Sequence, residues 1–401
     1  MPHVLLIGGM TEVLAAAARL DIRLTVVDRP ERGMPDEGRA VARWLGLDFL
    51  TDPGLLPVLK AIHKEDPFDQ VLSFGENALQ LAAQLNLELG LEPMVPADVV
   101  ACTRDKVKMR AAMADSPYSV PAQHVSTVAD FQAFVQAQGY PVILKPERGM
   151  GSYGVIRLDQ FDEALLRTVF PADGVGEDYM VERFVEGPEF SVEAFSFHGR
   201  HVVLNIHQKA KLGEGWANPY IEVGHVGPAM LSSTEQEQLR QAVFDCLDRV
   251  GLQEGPSHTE VILGSTGARI VETHTRVGGD RIAQLLQLAT EVDVFELTLR
   301  WFCLQQGEIT QPDIQQAAAI RFLVSRPGRI VAIHGVDEAR RLPGVVELVL
   351  NCAAGDEVGE MIDSYDRLGH VICTAATAAA AEAMCRKVVD EIIQLEWAPV
   401  W

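Results

Sequence analysis

One stretch of the chain, residues 258–272, reads HTEVILGSTGARIVE. Its apolar and polar residues indicate two strands joined by a short turn. If residues 265–267 form a three-residue loop with the glycine in the left-handed position, Glu260 faces Glu272 across the pair. The sequence therefore predicts a hairpin that carries two directly opposed carboxylates.

Opposed carboxylates repel each other, so the hairpin needs a cation or a water-filled site beside it. Magnesium prefers oxygen ligands and completes its shell with water and phosphate. The pair favours a metal site, and the alternative is two solvated glutamates on an exposed face. Strand alternation places Ile262 and Ile270 on the face that carries both glutamates.

The first hundred residues alternate strand and helix patterns, which is typical of a doubly wound α/β sheet. Val4–Ile7 reads as a buried parallel strand, and Thr11–Leu20 has helical spacing. Gly8 and Gly9 precede Asp28 at a spacing similar to that of a dinucleotide site. The G-x-G-x-x-G pattern is missing, so a structural tight turn is favoured over NAD binding.

A glycine-rich turn, residues 148–155, follows an apolar strand that ends at Lys145 and Pro146. Glycines let the backbone approach a phosphate, and successive N–H groups form an anion nest. The turn lacks the Gly-Lys-Ser/Thr ending of a Walker A loop. Lys145 either meets an anion or extends its ammonium to the surface, and both interpretations stay open.

Residues 179–193 predict a strand, a turn at Gly187-Pro188 and a second strand. Such a hinge can offer backbone groups to an adenine edge and Glu189 to ribose hydroxyls. From the residues alone, an ordinary strand–turn–strand is the favoured interpretation.

Composition excludes several classes of protein. Lys and Arg number 34 against 56 Asp and Glu, and the net charge of −22 disfavours nucleic acid as a partner. The six cysteines include no C-x-x-C pair, which predicts reduced core thiols rather than a zinc site or a disulfide scaffold. Neither a signal-peptide pattern nor a membrane-length apolar run is present, so we expect a cytoplasmic protein with no membrane partner.

Taken in order, these pieces resemble the ATP-grasp carboxylate–amine ligases over residues 3–395. The matching segments are Arg104-Asp105-Lys106, Val142–Pro146 with the Gly149–Val155 loop, Val181–Gly187, His258–Val261 and Glu272–Gly279. The resemblance implies a mixed α/β (α+β) ATP-grasp fold. We expect a Rossmann-like domain over residues 1–103, an ATP-grasp domain over 104–310 with a mobile lid at 120–185, and a C-terminal α/β extension over 311–401.

The resemblance also implies roles for single residues. Lys106 and Lys145 would hold the nucleotide phosphates, and Glu260 and Glu272 would hold Mg²⁺. His274 stands where many members have asparagine as a third ligand. Imidazole is a poor magnesium ligand, so either His274 is no ligand or the metal shifts towards Mn²⁺. The other implied ATP contacts are Gly151, Ser152 and Gly154 in the loop over the triphosphate, the backbone of Glu182 and Phe184 at adenine, and Glu189 at ribose.

Within the superfamily, the sequence looks closest to the L-amino acid ligases, which make dipeptides. The similar segments are Pro219–Pro228, Gly255–Glu260 and Arg276–Gly279. By this resemblance, Glu222 would pair with the α-ammonium of the first amino acid and Arg276 would meet its carboxylate. His225, Arg276 and the N–H of Gly279 would stabilise the oxyanion of the tetrahedral intermediate.

We therefore expect an ATP- and Mg²⁺-dependent ligase with amino acids as small-molecule substrates, acting through an acylphosphate, and a homodimer as its assembly. Residues 207–218, rich in Lys and Gly, predict a mobile flap over the site. One alternative is another ATP-grasp reaction: a purine-pathway ligase, a carboxylase-like enzyme, or the loading of an amino acid onto a carrier protein. A second alternative, motivated by His274, is a nucleotide-binding protein without ligase turnover.

Overall fold

The computed structural model describes residues 1–33, 40–148, 151–171 and 178–399. Gly149 and Met150 of the glycine-rich turn lie outside the described residues. The N-terminal elements are β1 (His3–Ile7), α1 (Thr11–Arg19), β2 (Arg23–Asp28), β3 (Val41–Gly46), α2 (Leu55–Glu65), β4 (Gln70–Leu72) and α3 (Leu79–Glu88).

The N-terminal strands form a parallel sheet in the order β3-β2-β1-β4. Strand β1 is buried on both faces, with Val4 and Leu6 in one apolar cluster and Leu5 and Ile7 in another. This confirms the doubly wound sheet. The carboxylate of Asp28 accepts from the N–H of Gly9 at 2.9 Å, which closes the tight turn after β1.

Two short helices, α4 (Ala97–Arg104) and α5 (Lys106–Ala112), lead into a small four-stranded sheet. Its order is β5-β8-β6-β7, and its residues Val142 and Leu144 pack with Phe131 of the helix over Val128–Gln138. The elements are β5 (Ala122–Val125), α6 (Val128–Gln138), β6 (Val142–Pro146), β7 (Ile156–Leu158), α7 (Glu163–Val169) and β8 (Tyr179–Arg183).

An eight-stranded antiparallel sheet has the order β13-β12-β9-β10-β11-β14-β18-β16. It continues from the central region into the C-terminal region through the pairing of β11 with β14. The central elements are β9 (Glu189–Phe197), β10 (Arg200–Lys211), β11 (Glu222–Gly227), α8 (Ser233–Val250), β12 (Gly255–Gly264), β13 (Gly267–His274), α9 (Ile282–Thr290) and α10 (Val294–Leu304).

The C-terminal region adds a three-stranded sheet, β17-β15-β19, beside the large one. A π-helical turn, Val388–Ile392, extends the last helix. The elements are β14 (Ala317–Leu323), β15 (Gly328–His334), α11 (Val336–Arg340), β16 (Val345–Leu350), β17 (Glu357–Val358), β18 (Gly369–Ala375), α12 (Ala378–Lys387) and β19 (Gln394–Ala398). Among the described residues, no helix has the length and apolar character needed to cross a membrane.

The β12–β13 hairpin opposes Glu260 and Glu272, but by a different route from the one predicted. The turn has two residues, between Gly264 and Gly267, and the register shifts between Glu260 and Val261. Because of this bulge, Ile270 pairs with Val261 and packs with it in the core. The prediction that Ile270 shares the face of the glutamates was therefore wrong.

The predicted flap is also wrong in its first half. Residues 207–211 belong to β10, in the middle of the large sheet, and the side chain of Lys209 is only 1 % exposed. Composition misled here because Lys and Gly are typical of exposed loops, whereas this lysine is buried among carboxylates.

Strand β4 lies at the edge of its sheet and depends on one buried amide. The Asn86 side chain accepts from the N–H of Val71 at 2.9 Å and donates to its carbonyl at 2.8 Å. We expect Asn86→Leu to leave both backbone groups unpaired and to lower the free energy of unfolding by about 2–4 kcal/mol. Urea unfolding measures this.

Leu87→Ala, an exposed change on the same helix, is the control and should alter stability by less than about 0.5 kcal/mol. Equal stability of the Asn86→Leu and Leu87→Ala variants would contradict the assigned role of Asn86.

Candidate active site

A cavity of about 500 Å³ is lined by the small sheet, the large sheet and the C-terminal region. It brings together all but one of the residues singled out from sequence. Those that line it are Lys106, Lys145, Gly151, Ser152, Glu182, Phe184, Glu189, Glu222, His225, Glu260, Glu272, His274, Arg276 and Gly279. The exception is Gly154, which has a positive φ of 67° and packs against Pro146, so it turns the chain instead.

Each of the two opposed glutamates has its own lysine. Lys209 Nζ lies 2.6 Å from a carboxylate oxygen of Glu260, and Lys106 Nζ lies 3.4 Å from one of Glu272. Burial raises the pKa of both carboxyls, but these ammonium groups, with neighbouring histidines, hold each pKa below its usual value. The hairpin therefore presents two carboxylates in their charged form.

Lys106 is placed by the residue before it. Asp105 caps helix α5, accepting from the N–H groups of Val107 and Lys108 at 3.1 Å each. The Arg104-Asp105-Lys106 segment thus starts a helix whose first residue lines the cavity.

Lys209 is a functional residue that the sequence analysis missed. Its ammonium lies 3.0, 2.7 and 2.6 Å from Glu189, Glu222 and Glu260. Carboxylate oxygens of these three glutamates lie within 4.8 Å of one another. Burial opposes the charged form of Lys209, yet the three carboxylates raise its pKa well above the ordinary value. Only the sheet order brings these strands together, so no local signal marks the cluster.

Lys145 meets a carboxylate of the protein itself. Its ammonium lies 2.7 Å from Glu182, whose other oxygen accepts from Arg110 Nε at 2.6 Å. Arg110 also donates to the carbonyls of Ile270 and Val271 at 2.7 and 2.9 Å. Burial raises the pKa of Glu182, but Arg110 and Lys145 lower it on balance. Arg110 therefore joins the small sheet to the bulged hairpin.

The predicted nucleotide contacts are partly occupied by protein groups. The N–H of Phe184 donates to the carbonyl of Pro141 at 3.0 Å, which leaves only its carbonyl for a base. Both carboxylate oxygens of Glu189 are paired, one with Lys209 and the other with Lys211. Ser152, with a positive φ of 62°, donates its hydroxyl to the carbonyl of Tyr220 at 3.1 Å.

His274 lies between two carboxylates. Its Nε2 is 3.0 Å from Glu272 and its Nδ1 is 3.2 Å from Glu76. Burial lowers the pKa of His274, but Glu272 and Glu76 raise it on balance. Both ring nitrogens of His274 thus face carboxylate oxygens, and one of these belongs to the predicted metal ligand Glu272.

Glu76, from the N-terminal domain, also orients the predicted substrate arginine. Its carboxylate accepts from Arg276 Nε at 2.7 Å and from Arg104 Nε at 3.2 Å. Burial opposes ionisation, but His274 and Arg276 lower the pKa of Glu76 to about 2. No sequence pattern indicated this residue.

A buried carboxylate holds the loop that carries Gly279. Glu193 lies 2.5 Å from His258 Nδ1 and accepts from the N–H of Gly278 at 3.1 Å. A Cβ at position 278 would lie 2.8 Å from His258 Nδ1, so glycine is required for this close approach. Burial lowers the pKa of His258, but Glu193 and Glu260 raise that pKa to about 9 on balance.

The carboxylates of Glu260 and Glu272 suit magnesium by their chemistry, since both are oxygen donors that face one another in the cavity. Phosphate oxygens and water supply the remaining ligands of magnesium in many nucleotide sites. The pair therefore fits the ion that the sequence predicted.

Comparison with known protein families agrees with this arrangement. An ATP-grasp N-terminal domain matches residues 14–93, an ATP-grasp domain matches 138–284, and L-amino acid ligase C-terminal domain 2 matches 321–394. The chain belongs to the ATP-grasp ligases.

Named relatives of this ATP-grasp ligase are distant. It is 24 % identical to an L-arginine-specific L-amino acid ligase of Bacillus subtilis, over 78 % of this chain and 77 % of that one. It is 23 % identical to an alanine–anticapsin ligase of Bacillus amyloliquefaciens, over 60 % of this chain and only 57 % of the relative. Among solved structures, an L-amino acid ligase from Bacillus licheniformis shares the fold, with a TM-score of 0.84, 21 % identity and 99 % of each chain covered.

The Arg110–Glu182 pair gives a direct test of the site's framework. Arg110→Met leaves Glu182 buried with only Lys145 and leaves two carbonyls unpaired. We expect a loss of about 3–5 kcal/mol in the free energy of unfolding, measured in urea.

Arg240→Met removes an arginine from an exposed pair on α8 and serves as the control, with little expected change. Equal losses in the two variants would show that the Arg110–Glu182 contact does not hold the site together.

Proposed function

We propose that this ATP-grasp ligase joins the carboxylate of one amino acid to the amine of a second amino acid, or of another amine, and converts ATP to ADP and phosphate. One observation carries the proposal. A single cavity holds the lysines and opposed glutamates suited to a metal–triphosphate, and also Glu222, His225, Arg276 and Gly279, which suit an amino acid. The match of residues 321–394 to an L-amino acid ligase domain supports amino acids over other acids.

We propose that Lys106 and Lys145 bind the phosphates and that Gly151 and Ser152 lie over them. Glu260 and Glu272 would hold Mg²⁺, which offsets negative charge on phosphate oxygens when it is bound. Glu182 acts through its side chain by fixing Lys145, in addition to any backbone contact with adenine. Glu189 would meet the ribose only if it exchanges a lysine contact for a hydroxyl.

In the first step, a carboxylate oxygen of the first amino acid attacks the γ-phosphorus, the bond from that phosphorus to the β–γ bridging oxygen breaks, and ADP leaves. Glu222 would hold the α-ammonium of this amino acid and Arg276 its carboxylate. Lys145 would offset charge on the transferred phosphoryl group. The product of this step is an acylphosphate.

In the second step, the amine nitrogen attacks the acyl carbon, the bond from that carbon to the phosphate oxygen breaks, and phosphate leaves. The nitrogen loses its proton to solvent. His225, Arg276 and the N–H of Gly279 would stabilise the oxyanion of the tetrahedral intermediate.

The acylphosphate hydrolyses readily, so the site must exclude water. The loop that carries Gly151 and Ser152 is bound to the rest of the protein on two sides. The N–H of Ser364 donates to the carbonyl of Gly151 at 3.2 Å. The amide of Asn218 donates to the carbonyls of Ser152 at 2.8 Å and Ile362 at 3.1 Å. These contacts would keep the loop over the bound phosphates.

We also propose a cytoplasmic location and a homodimer. All six cysteines are free thiols, as a reducing compartment would leave them. The homodimer is proposed because two-fold dimers are the commonest oligomers of soluble proteins.

Phosphate release from ATP with Mg²⁺, measured over amino acids singly and in pairs with mass detection of products, tests the proposed function. We expect release that requires two substrates, together with the mass of the amide. Nucleotide binding without any amide would favour another ATP-grasp reaction or binding without turnover.

Glu222→Gln tests the amino acid end separately. Gln keeps the size but loses the charge that pairs with an α-ammonium, a contact that contributes about 1.5–3 kcal/mol. We expect the KM of the first amino acid to rise about ten- to a hundredfold while the nucleotide affinity stays within about twofold.

Exposed Glu237→Gln on α8 is the control and should change neither constant. An equal loss of nucleotide and amino acid binding in Glu222→Gln would contradict the role of Glu222.

A further inference from the structure

Arg367 lies in the C-terminal region and lines the amino acid end of the cavity. All three nitrogens of its guanidinium donate hydrogen bonds. Its Nη1 and Nη2 donate to the two carboxylate oxygens of Asp280 at 2.7 and 2.6 Å. Nη1 also reaches the carbonyl of Glu222 at 3.2 Å, and Nε donates to that of Ser364 at 2.5 Å. The guanidinium lies 3.7 Å over the ring of Phe322. Such a planar, bidentate and stacked arrangement is specific to arginine.

Asp280 needs this partner because of its backbone. Its φ is 51° and that of Arg281 is 63°, so two consecutive residues other than glycine adopt the left-handed conformation. Such residues persist only where surrounding contacts hold them. Asp280 directly follows Gly279, whose N–H is proposed to meet the oxyanion. The Arg367–Asp280 pair therefore anchors the residue that directly follows the one with this donor.

Asp280 also fixes His225. One of its carboxylate oxygens lies 3.2 Å from His225 Nε2. The other ring nitrogen, Nδ1, is buried and has no hydrogen-bond partner within the described part of the chain. The contact with Asp280 is thus what orients this ring by hydrogen bonding, and the ring lines the cavity.

We propose that Arg367 is a positioning residue for the amino acid end of the cavity: through Asp280 it holds Gly279 and His225, and through the carbonyl of Glu222 it holds the start of β11. This rests on the proposed function. Arg367 belongs to the C-terminal domain that matches residues 321–394. Through its guanidinium, that domain would take part in the reaction by holding the segments of Asp280 and Glu222 in the ATP-grasp domain.

The contacts of Arg367 lie at one end of the cavity. Arg367 donates to Asp280 and to the carbonyls of Glu222 and Ser364. The Gly151 loop is held by other groups, the N–H of Ser364 and the amide of Asn218, so loss of Arg367 should leave nucleotide binding largely intact. Displacement of the oxyanion donors by about 1 Å lowers a rate by about a hundredfold. A displaced donor also lets water compete with the amine for the acylphosphate.

The test compares Arg367→Met, Arg367→Lys and Asp280→Asn with the unchanged protein. We expect Arg367→Met to lower kcat for amide formation about a hundredfold, to release more phosphate per amide, and to keep the nucleotide Kd within about twofold. Arg367→Lys keeps the charge but not the bidentate geometry and should recover only part of the loss. Joining Asp280→Asn to Arg367→Met should cost less than the sum of the two single effects, because the two changes share the Arg367–Asp280 contact.

Arg386→Met, which removes an exposed arginine from a pair on α12 of the same domain, is the control and should match the unchanged protein. A purely structural role would lower stability in Arg367→Met while kcat, and the ratio of phosphate to amide, stay the same in the folded protein. Additive effects of the Arg367 and Asp280 changes would also overturn the proposal.

Hydrogen exchange of residues 276–282 in the free protein needs no substrate and separates this inference from the proposed function. We expect faster exchange in Arg367→Met and no change in Arg386→Met. If the unchanged protein forms no amide, the proposed function fails, and unchanged exchange in Arg367→Met then overturns the positioning role as well. Faster exchange would leave that role standing for whatever reaction the cavity performs.

Discussion

Glu260 and Glu272 face each other across neighbouring strands, and their mutual repulsion governs what must surround them. Inside a buried cavity, two like charges at this separation persist only with nearby cations. The protein supplies Lys209 to one glutamate and Lys106 to the other, from a strand of the large sheet and from the first turn of a helix. A bound metal would add to this compensation, so the pair links the stability of the fold to the binding of the nucleotide.

The lysines that balance the charge of these two glutamates also contact further carboxylates. Lys209 touches Glu189 and Glu222 as well as Glu260, and Lys145 touches Glu182. Glu182 and Glu272 then reach Arg110 and His274, which bind the hairpin backbone and the N-terminal domain respectively. The N-terminal and ATP-grasp domains thus both contribute charge to one network, which explains how a chain with a net charge of −22 keeps cations concentrated in its cavity.

Local sequence patterns were sufficient to predict many of the strands and helices and many of the residues that line the cavity. Alternation along residues 258–272 predicts the facing glutamates, and the helical spacing over Thr11–Leu20 predicts helix α1, which spans Thr11–Arg19. Local patterns could not show the bulge. Its position is tied to Arg110, which binds the carbonyls of Ile270 and Val271 from a helix about 160 residues earlier. Local patterns also did not indicate roles for Lys209, Glu76 and Arg367, because the partners of these residues are distant in sequence.

The proposed reaction depends on the attack of a carboxylate on ATP, after which the amine displaces phosphate. The most direct measurement supplies the first amino acid with both carboxylate oxygens as ¹⁸O and determines the mass of the released phosphate. We expect one ¹⁸O atom in each phosphate that accompanies an amide, because the bond from the acyl carbon to the bridging oxygen is the one that breaks. Unlabelled phosphate, released together with amide, would contradict an acylphosphate and with it the assigned division of the cavity into a phosphate end and an amino acid end.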